Sequence, residues 1–213
     1  MLITFEGVDL CGKTTQAEIL IKRLKDLGYD VVFVREPGGT KISEMIRDIL
    51  LDLRNLEMDS ITELFLFSAS RAQLVKEIIL PALNSGKIVI CDRFYDSTLA
   101  YQGYGRGIDI EKIKVINELA SSGLVPDVTF LIDIPVDEIY RRKSKVIETG
   151  GVKNSTDRME SSGVEFYERV RRGYLEIAKM SERFVVIDGT MGIDEISEKI
   201  WSIVFEKLKL QVR

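Results

Sequence analysis

A three-layer α/β fold, a five-stranded parallel sheet flanked by helices, is predicted by three observations on this 213-residue chain. Short apolar runs rich in β-branched residues recur at 2–5, 31–34, 88–91, 128–132 and 184–187. Longer stretches of helical periodicity separate them, at about 13–27, 41–53, 60–83, 110–121, 136–146, 160–180 and 193–208. Each run also ends in polar chemistry: Glu6-Gly7, Arg35-Glu36, Asp92-Arg93, Asp133 and Asp188-Gly189-Thr190. Strands alternating with helices pair in parallel, bury both faces, and bind ligands beyond their carboxyl ends. The five polar ends are therefore expected along one rim. The length suits a single domain over 1–213, without internal repeats.

The first run leads into Gly7-Val8-Asp9-Leu10-Cys11-Gly12-Lys13-Thr14, a G-x-x-x-x-G-K-T loop, followed by Thr15 and an amphipathic helix. Its glycines let successive N–H groups face an anion, Lys13 adds a point charge, and the Thr14 hydroxyl can ligate Mg²⁺. The following helix aims its N-terminus at the same place. A nucleotide-phosphate site is predicted here, in preference to a structural turn with an incidental lysine.

The third run closes on Asp92, placed to present an acid to a Mg²⁺ hydration shell, with Arg93 beside it for phosphate oxygens. The alternative is a surface ion pair, and the nearby Lys13 loop favours the site. In the helix at 60–83, Thr62–Gln73 is mostly an apolar face interrupted by Ser68, Ser70 and Arg71. Phe67 there either stacks on a flat base, with Arg71 one turn on donating to it, or belongs to the core, and spacing does not choose. Residues 148–156, with paired glycines, form a loop between helical stretches carrying Arg141, Arg142, Lys143, Lys145 and Arg158. It reads as a lid over phosphates, with a solvated surface loop as the alternative.

Composition narrows the function. Histidine is absent, which excludes a His base, and the net charge of −4 gives no electrostatic footprint for nucleic acid. No apolar run approaches the length of a membrane span, and the N-terminus enters a strand at once, so a cytoplasmic protein is expected. Cys11 and Cys91, the only cysteines, have no metal-ligand spacing. They are either two small buried side chains or a pair close enough to respond to oxidation, the former being preferred.

Phe5-Glu6-Gly7-Val8-Asp9, Arg35-Glu36-Pro37-Gly38-Gly39-Thr40, Leu66-Phe67-Ser68-Ala69-Ser70-Arg71, Asp92-Arg93-Phe94, Ala100-Tyr101-Gln102-Gly103 and Asp157-Arg158-Met159-Glu160 occur in an order that resembles the thymidylate kinase family nearly end to end. The resemblance implies a P-loop kinase fold with a lid at about 141–158. It also implies transfer of a phosphoryl group from ATP to dTMP with Mg²⁺, supplying dTTP for DNA synthesis, and a homodimer. On the acceptor side, it implies that Asp9 meets the deoxyribose 3′-OH, Phe67 stacks on thymine, Arg71 donates to a base carbonyl, and Tyr101 crowds the sugar C2′. Arg93 contacts the dTMP phosphate, Ser97, Thr98 and Gln102 lie near the nucleoside, and Arg35, Glu36 and Arg47 complete that side. Asp188-Gly189-Thr190 falls near the donor adenine.

Some members carry an arginine in the phosphate loop where this chain has Leu10, so a transition-state cation is expected from the lid. Arg141 is the first choice, within the pattern Arg141, Lys143, Lys145, and Lys153 is the second. The catalytic set is then Lys13, Asp92, Arg93 and Arg141, with Arg158 among the phosphate contacts. The acceptor oxygen is already ionised at neutral pH, so no general base is required. Tyr101 argues against a UMP or CMP kinase, and the absence of N-K-x-D argues against a guanine-nucleotide switch.

Overall fold

The computed structural model describes residues 1–148, 158–159 and 162–211. Five parallel strands, β1 (Leu2–Glu6), β2 (Val31–Arg35), β3 (Ile88–Asp92), β4 (Val128–Asp133) and β5 (Phe184–Asp188), form one sheet in the order β2-β3-β1-β4-β5. Each expected run is a strand that extends one polar residue further at its carboxyl end. Around the sheet lie α1 (Lys13–Asp26), α2 (Lys41–Leu51), α3 (Ser60–Leu74), α4 (Leu80–Asn84), α5 (Tyr95–Thr98), α6 (Ile110–Ser121), α7 (Val136–Glu148), α8 (Val164–Lys179) and α9 (Ile193–Gln211).

The expected helix at 60–83 is realised as α3 and α4 joined by a π-helical stretch, Val75–Ile79. A second π-helical stretch, Leu99–Gly105, continues α5 and was not expected from the sequence. Its residues are almost all buried, so the segment has no polar face and no amphipathic period to read.

From β1 the chain turns toward β2 on one side of the sheet, and from β3 it crosses to β4 on the other. That divergence opens a crevice at the carboxyl ends of β1 and β3, where α/β sheets bind ligands. The register pairs Phe5 with Asp92, so the loop after β1 and the turn after β3 lie side by side.

Alternate residues of the central strands feed two apolar clusters. Ile3, Phe5, Ile88 and Ile90 pack with Ala17, Leu20 and Leu24 of α1, whereas Leu2, Val34, Val89 and Cys91 pack with Leu74, Val75 and Ile79. Cys11 is in the first cluster and Cys91 in the second, both buried as free thiols. The two cysteines thus belong to different apolar clusters, in keeping with two small buried side chains. Among the described residues, no helix is long and apolar enough to cross a membrane.

Candidate active site

The helices leading to the cleft begin in different ways. Thr40 and Asp59 cap α2 and α3 by accepting from Ser43 N–H (3.1 Å) and Ile61 N–H (2.8 Å). Helix α1 starts at Gly12, φ 102°, with no side-chain cap, so its first N–H groups face the crevice as an anion cradle. Gly7 adopts φ 137°, and a Cβ there would stand 2.4 Å from Ile132 O. Leu10, at φ 60°, is a left-handed non-glycine residue at the tip of the loop. Val8 and Cys11 are buried beneath it, and Thr15 is exposed at the start of α1.

Lys13 Nζ donates to Val8 O (2.8 Å) and Gly7 O (3.2 Å), keeping its charge over the loop. Thr14 Oγ1 donates to Asp92 Oδ2 at 2.5 Å, which brings together the two residues expected at a metal. Arg93 follows with φ 72°, and its guanidinium has five partners. It donates to Asp9 Oδ1 (2.6 Å), Gly7 O (2.8 Å), Tyr174 Oη (3.1 Å), Tyr101 Oη (3.2 Å) and Ser97 Oγ (3.3 Å). Asp9 also accepts from Tyr167 Oη (2.9 Å) and Tyr101 Oη (3.2 Å). Desolvation opposes the charge on Asp9, but Arg93 and Lys13, with the Tyr167 and Arg93 hydrogen bonds, outweigh it and bring the carboxyl down to about 2.

Behind Arg93 lies Glu6, fully buried at the end of β1. It accepts from Phe94 N–H (2.7 Å), Ser97 Oγ (2.6 Å) and Tyr174 Oη (2.9 Å). Burial, and then the nearby Asp96 carboxylate, push it up to about 7. Glu6 therefore supports the left-handed turn at Arg93 through Phe94, and its side chain through Ser97 and Tyr174.

Every residue expected on the acceptor side, Asp9, Arg35, Glu36, Arg47, Phe67, Arg71, Arg93, Ser97, Thr98, Tyr101 and Gln102, lines one cavity of about 280 Å³, with Lys13, Thr14 and Asp92 at its donor rim. Arg35 and Arg47 both donate to Pro37 O, at 3.1 and 2.9 Å. Arg71 is buried and spends much of its donor capacity on Glu36 Oε2 (2.8 Å), Asn117 Oδ1 (3.1 Å) and Phe94 O (3.4 Å). Glu36 Oε1 is buried with no hydrogen-bond partner among the described residues. Burial raises the Glu36 carboxyl in spite of Arg71.

The four cations expected as phosphate contacts outside the loop, Arg141, Lys143, Lys145 and Arg158, do not line the cavity. Arg141 is 71% exposed and pairs with Glu138 (2.5 Å) instead of pointing to the loop. Its neighbour Arg142 makes that contact, donating to Leu10 O (3.0 Å), Gly189 O (2.7 Å) and Glu138 Oε1 (2.6 Å). One residue turns a side chain by about 100° on a helix, and this register selects Arg142. Arg158 is buried on Glu63 (2.7 Å) of α3 and Leu50 O (2.8 Å) at the end of α2. Lys143 and Lys145 lie further along α7 and do not line the cavity. The lid loop, with Lys153, falls mostly outside the described residues.

An uncapped phosphate loop, an acid and arginine at the end of the adjoining strand, and one cavity that opens from them toward an anionic acceptor define a P-loop phosphotransferase acting on a small nucleotide. A sequence model of thymidylate kinases matches residues 5–200. The chain is 48% identical over 209 residues to a thymidylate kinase of Caldanaerobacter subterraneus subsp. tengcongensis, covering 97% of this chain and 96% of that protein. It is 49% identical over 205 residues to one of Pelobacter propionicus, covering 96% and 93%. The crystal structure of thymidylate kinase from Ehrlichia chaffeensis superposes with a TM-score of 0.76 at 38% identity, covering 96% of this chain and 98% of that one. The chain belongs to the thymidylate kinase family.

Proposed function

We propose a residue-level account of the reaction that family membership assigns, transfer of the γ-phosphoryl group of ATP to dTMP to give dTDP and ADP. The observation that carries it is the Phe5–Asp92 register, which sets the phosphate loop against the Asp92-Arg93 turn at the mouth of the acceptor cavity. Lys13 moves its ammonium from the loop carbonyls to the β- and γ-phosphates. Arg93, braced by Asp9, Tyr101, Tyr174 and Ser97, directs its guanidinium at the acceptor phosphate. Phe67 stacks on the base, and Tyr101 stands against the sugar. The acceptor oxygen is ionised at neutral pH, so positioning and charge compensation do the catalysis.

Thr14 directly, and Asp92 through water, would hold Mg²⁺. A hydroxyl and a carboxylate meeting at 2.5 Å are the hard oxygen donors this ion takes alongside substrate phosphates. When bound, the ion neutralises charge on the phosphate oxygens. The donor-side cation is Arg142, whose guanidinium already bridges the loop and the turn after β5, and α7 leads from it into a lid within the single domain.

A homodimer is supported by exposed apolar residues in line on adjacent helices: Ile42, Met45 and Ile49 on α2, Ile61 and Phe65 on α3, and Val115 and Leu119 on α6. The sequence shows no such stripe until the helices are packed together. The cytoplasm, where dTTP is made for DNA synthesis, is the setting that fits these substrates.

An ADP-release assay over dTMP, dUMP, UMP, CMP and AMP tests the reading. The highest kcat/KM is expected for dTMP, and Phe67→Ala should impair dTMP use far more than ATP use. Absence of acceptor-dependent ADP with all five would overturn it in favour of a nucleotide switch.

A further inference from the structure

Glu63 lies on α3 one helical turn before Phe67 and is 1% exposed. Its Oε1 accepts from Gln102 Nε2 (2.8 Å) and Arg106 Nε (3.1 Å), and its Oε2 from an Arg106 terminal nitrogen (3.1 Å), with the Arg158 guanidinium at 2.7 Å. Burial opposes ionisation, but these hydrogen bonds and the two arginine charges outweigh it, and the carboxyl titrates below its ordinary range. Arg158 is itself fixed, its N–H on Leu51 O (3.1 Å) and its Nε on Leu50 O (2.8 Å) at the end of α2.

An ionised carboxylate only accepts hydrogen bonds, so the Gln102 amide must present its NH₂ to Glu63 and turn its carbonyl oxygen the other way. Gln102 is buried and lines the acceptor cavity with Phe67 and Thr98. A carboxamide free to flip would offer that cavity a donor or an acceptor equally well. This one is held in a single sense.

We propose that Glu63 is a positioning residue for base selection, fixing the Gln102 amide so that the cavity meets its acceptor oxygen. The site then favours a pyrimidine with a ring N–H donor, as thymine and uracil have, over cytosine, whose bare ring nitrogen would oppose that oxygen lone pair to lone pair. Arg106 holds Glu63 in place across both carboxylate oxygens, sharing Oε1 with Gln102, and Arg158 holds it at Oε2. The inference rests on the acceptor reading given above. It differs from a purely structural ion-pair cluster in one respect: a structural cluster would affect all acceptors alike.

The test measures dissociation constants of dTMP, dUMP and dCMP by calorimetry for the full chain, Glu63→Gln and Gln102→Ala, with the KM for ATP as control. Glu63→Gln should weaken dTMP and dUMP together and lower the preference for dTMP over dCMP by about tenfold or more, with the ATP KM within about twofold. If the three nucleotides weaken in proportion, or none changes, Glu63 is structural and the proposal falls. If Gln102→Ala removes the preference while Glu63→Gln keeps it, the role of Glu63 is overturned and the acceptor reading stands. If Gln102→Ala also keeps it, the acceptor reading of Gln102 fails, and the proposal with it. Should Glu63→Gln not fold, Glu63→Asp keeps the charge but withdraws the carboxylate from Gln102, and is scored on the same ratio.

Discussion

The two sides of the cleft are held in different ways. On the acceptor side, Arg71 and Glu36 form an ion pair with side chains only 1% and 4% exposed, and Glu63 gathers Gln102, Arg106 and Arg158. On the donor side the cations at the rim are held largely by main-chain oxygens: Lys13 by Gly7 and Val8, and Arg142 by Leu10 and Gly189 besides the Glu138 carboxylate. Discrimination between similar bases requires groups that do not adapt, and a dense buried network supplies them. Catalysis requires cations that can transfer from one set of oxygens to another, and a carbonyl is an easier partner to leave than a carboxylate.

The strongest test of this contrast is Lys13→Ala. It should lower kcat by about 10² to 10³ while leaving dTMP binding and the melting temperature near wild type. A comparable loss of dTMP affinity would break the division between the two sides. Next, Arg142→Ala should cost about tenfold in kcat/KM for ATP, and Arg141→Ala about twofold at most, because Arg141 makes an exposed surface pair. The reverse order would restore Arg141 as the donor-side cation.

A separate effect, read in stability and not in turnover, concerns Glu6, between the two sides. Its carboxyl is raised to about 7 in the fold from an ordinary value of 4.5, so between these pH values the folded state binds a proton that the unfolded state has released. Its contribution to stability is present below pH 4.5, declines as pH rises through this window, and levels off above 7. Denaturant titrations should show wild type losing roughly 3 kcal/mol relative to Glu6→Gln across that range. A flat difference would mean that Glu6 is ionised throughout and supports Arg93 as a full charge.

The donor and acceptor sides also differ in how far they could be read from the chain. Residues in the acceptor cavity were legible because short motifs carry them, and the strand ends that set their position follow the apolar runs closely. Tyr167 and Tyr174 were not, since aromatics on the buried face of an amphipathic helix read as core, and their hydroxyls reach Asp9 and Glu6 more than 150 positions away, at separations of 158 and 168. Arg142 was missed for a local reason: the start of α7 decides which of two adjacent arginines faces the loop. Glu63 gave no signal because a lone acid on an apolar face gains meaning only when Gln102 and two arginines are folded onto it.

Gly7 has a consequence for how such chains diverge. The nearest obstacle to a side chain there is the main chain of β4, at Ile132 O, whereas at Gly12 nothing stands within 4 Å and only the positive φ disfavours other residues. Gly7 is thus imposed by strand packing as well as by phosphate. A descendant of this chain that had abandoned catalysis would still keep Gly7 under selection for folding, while Lys13 and Thr14 drifted. In a survey of descendants, the first glycine would record ancestry, and the lysine–threonine pair would record retained activity.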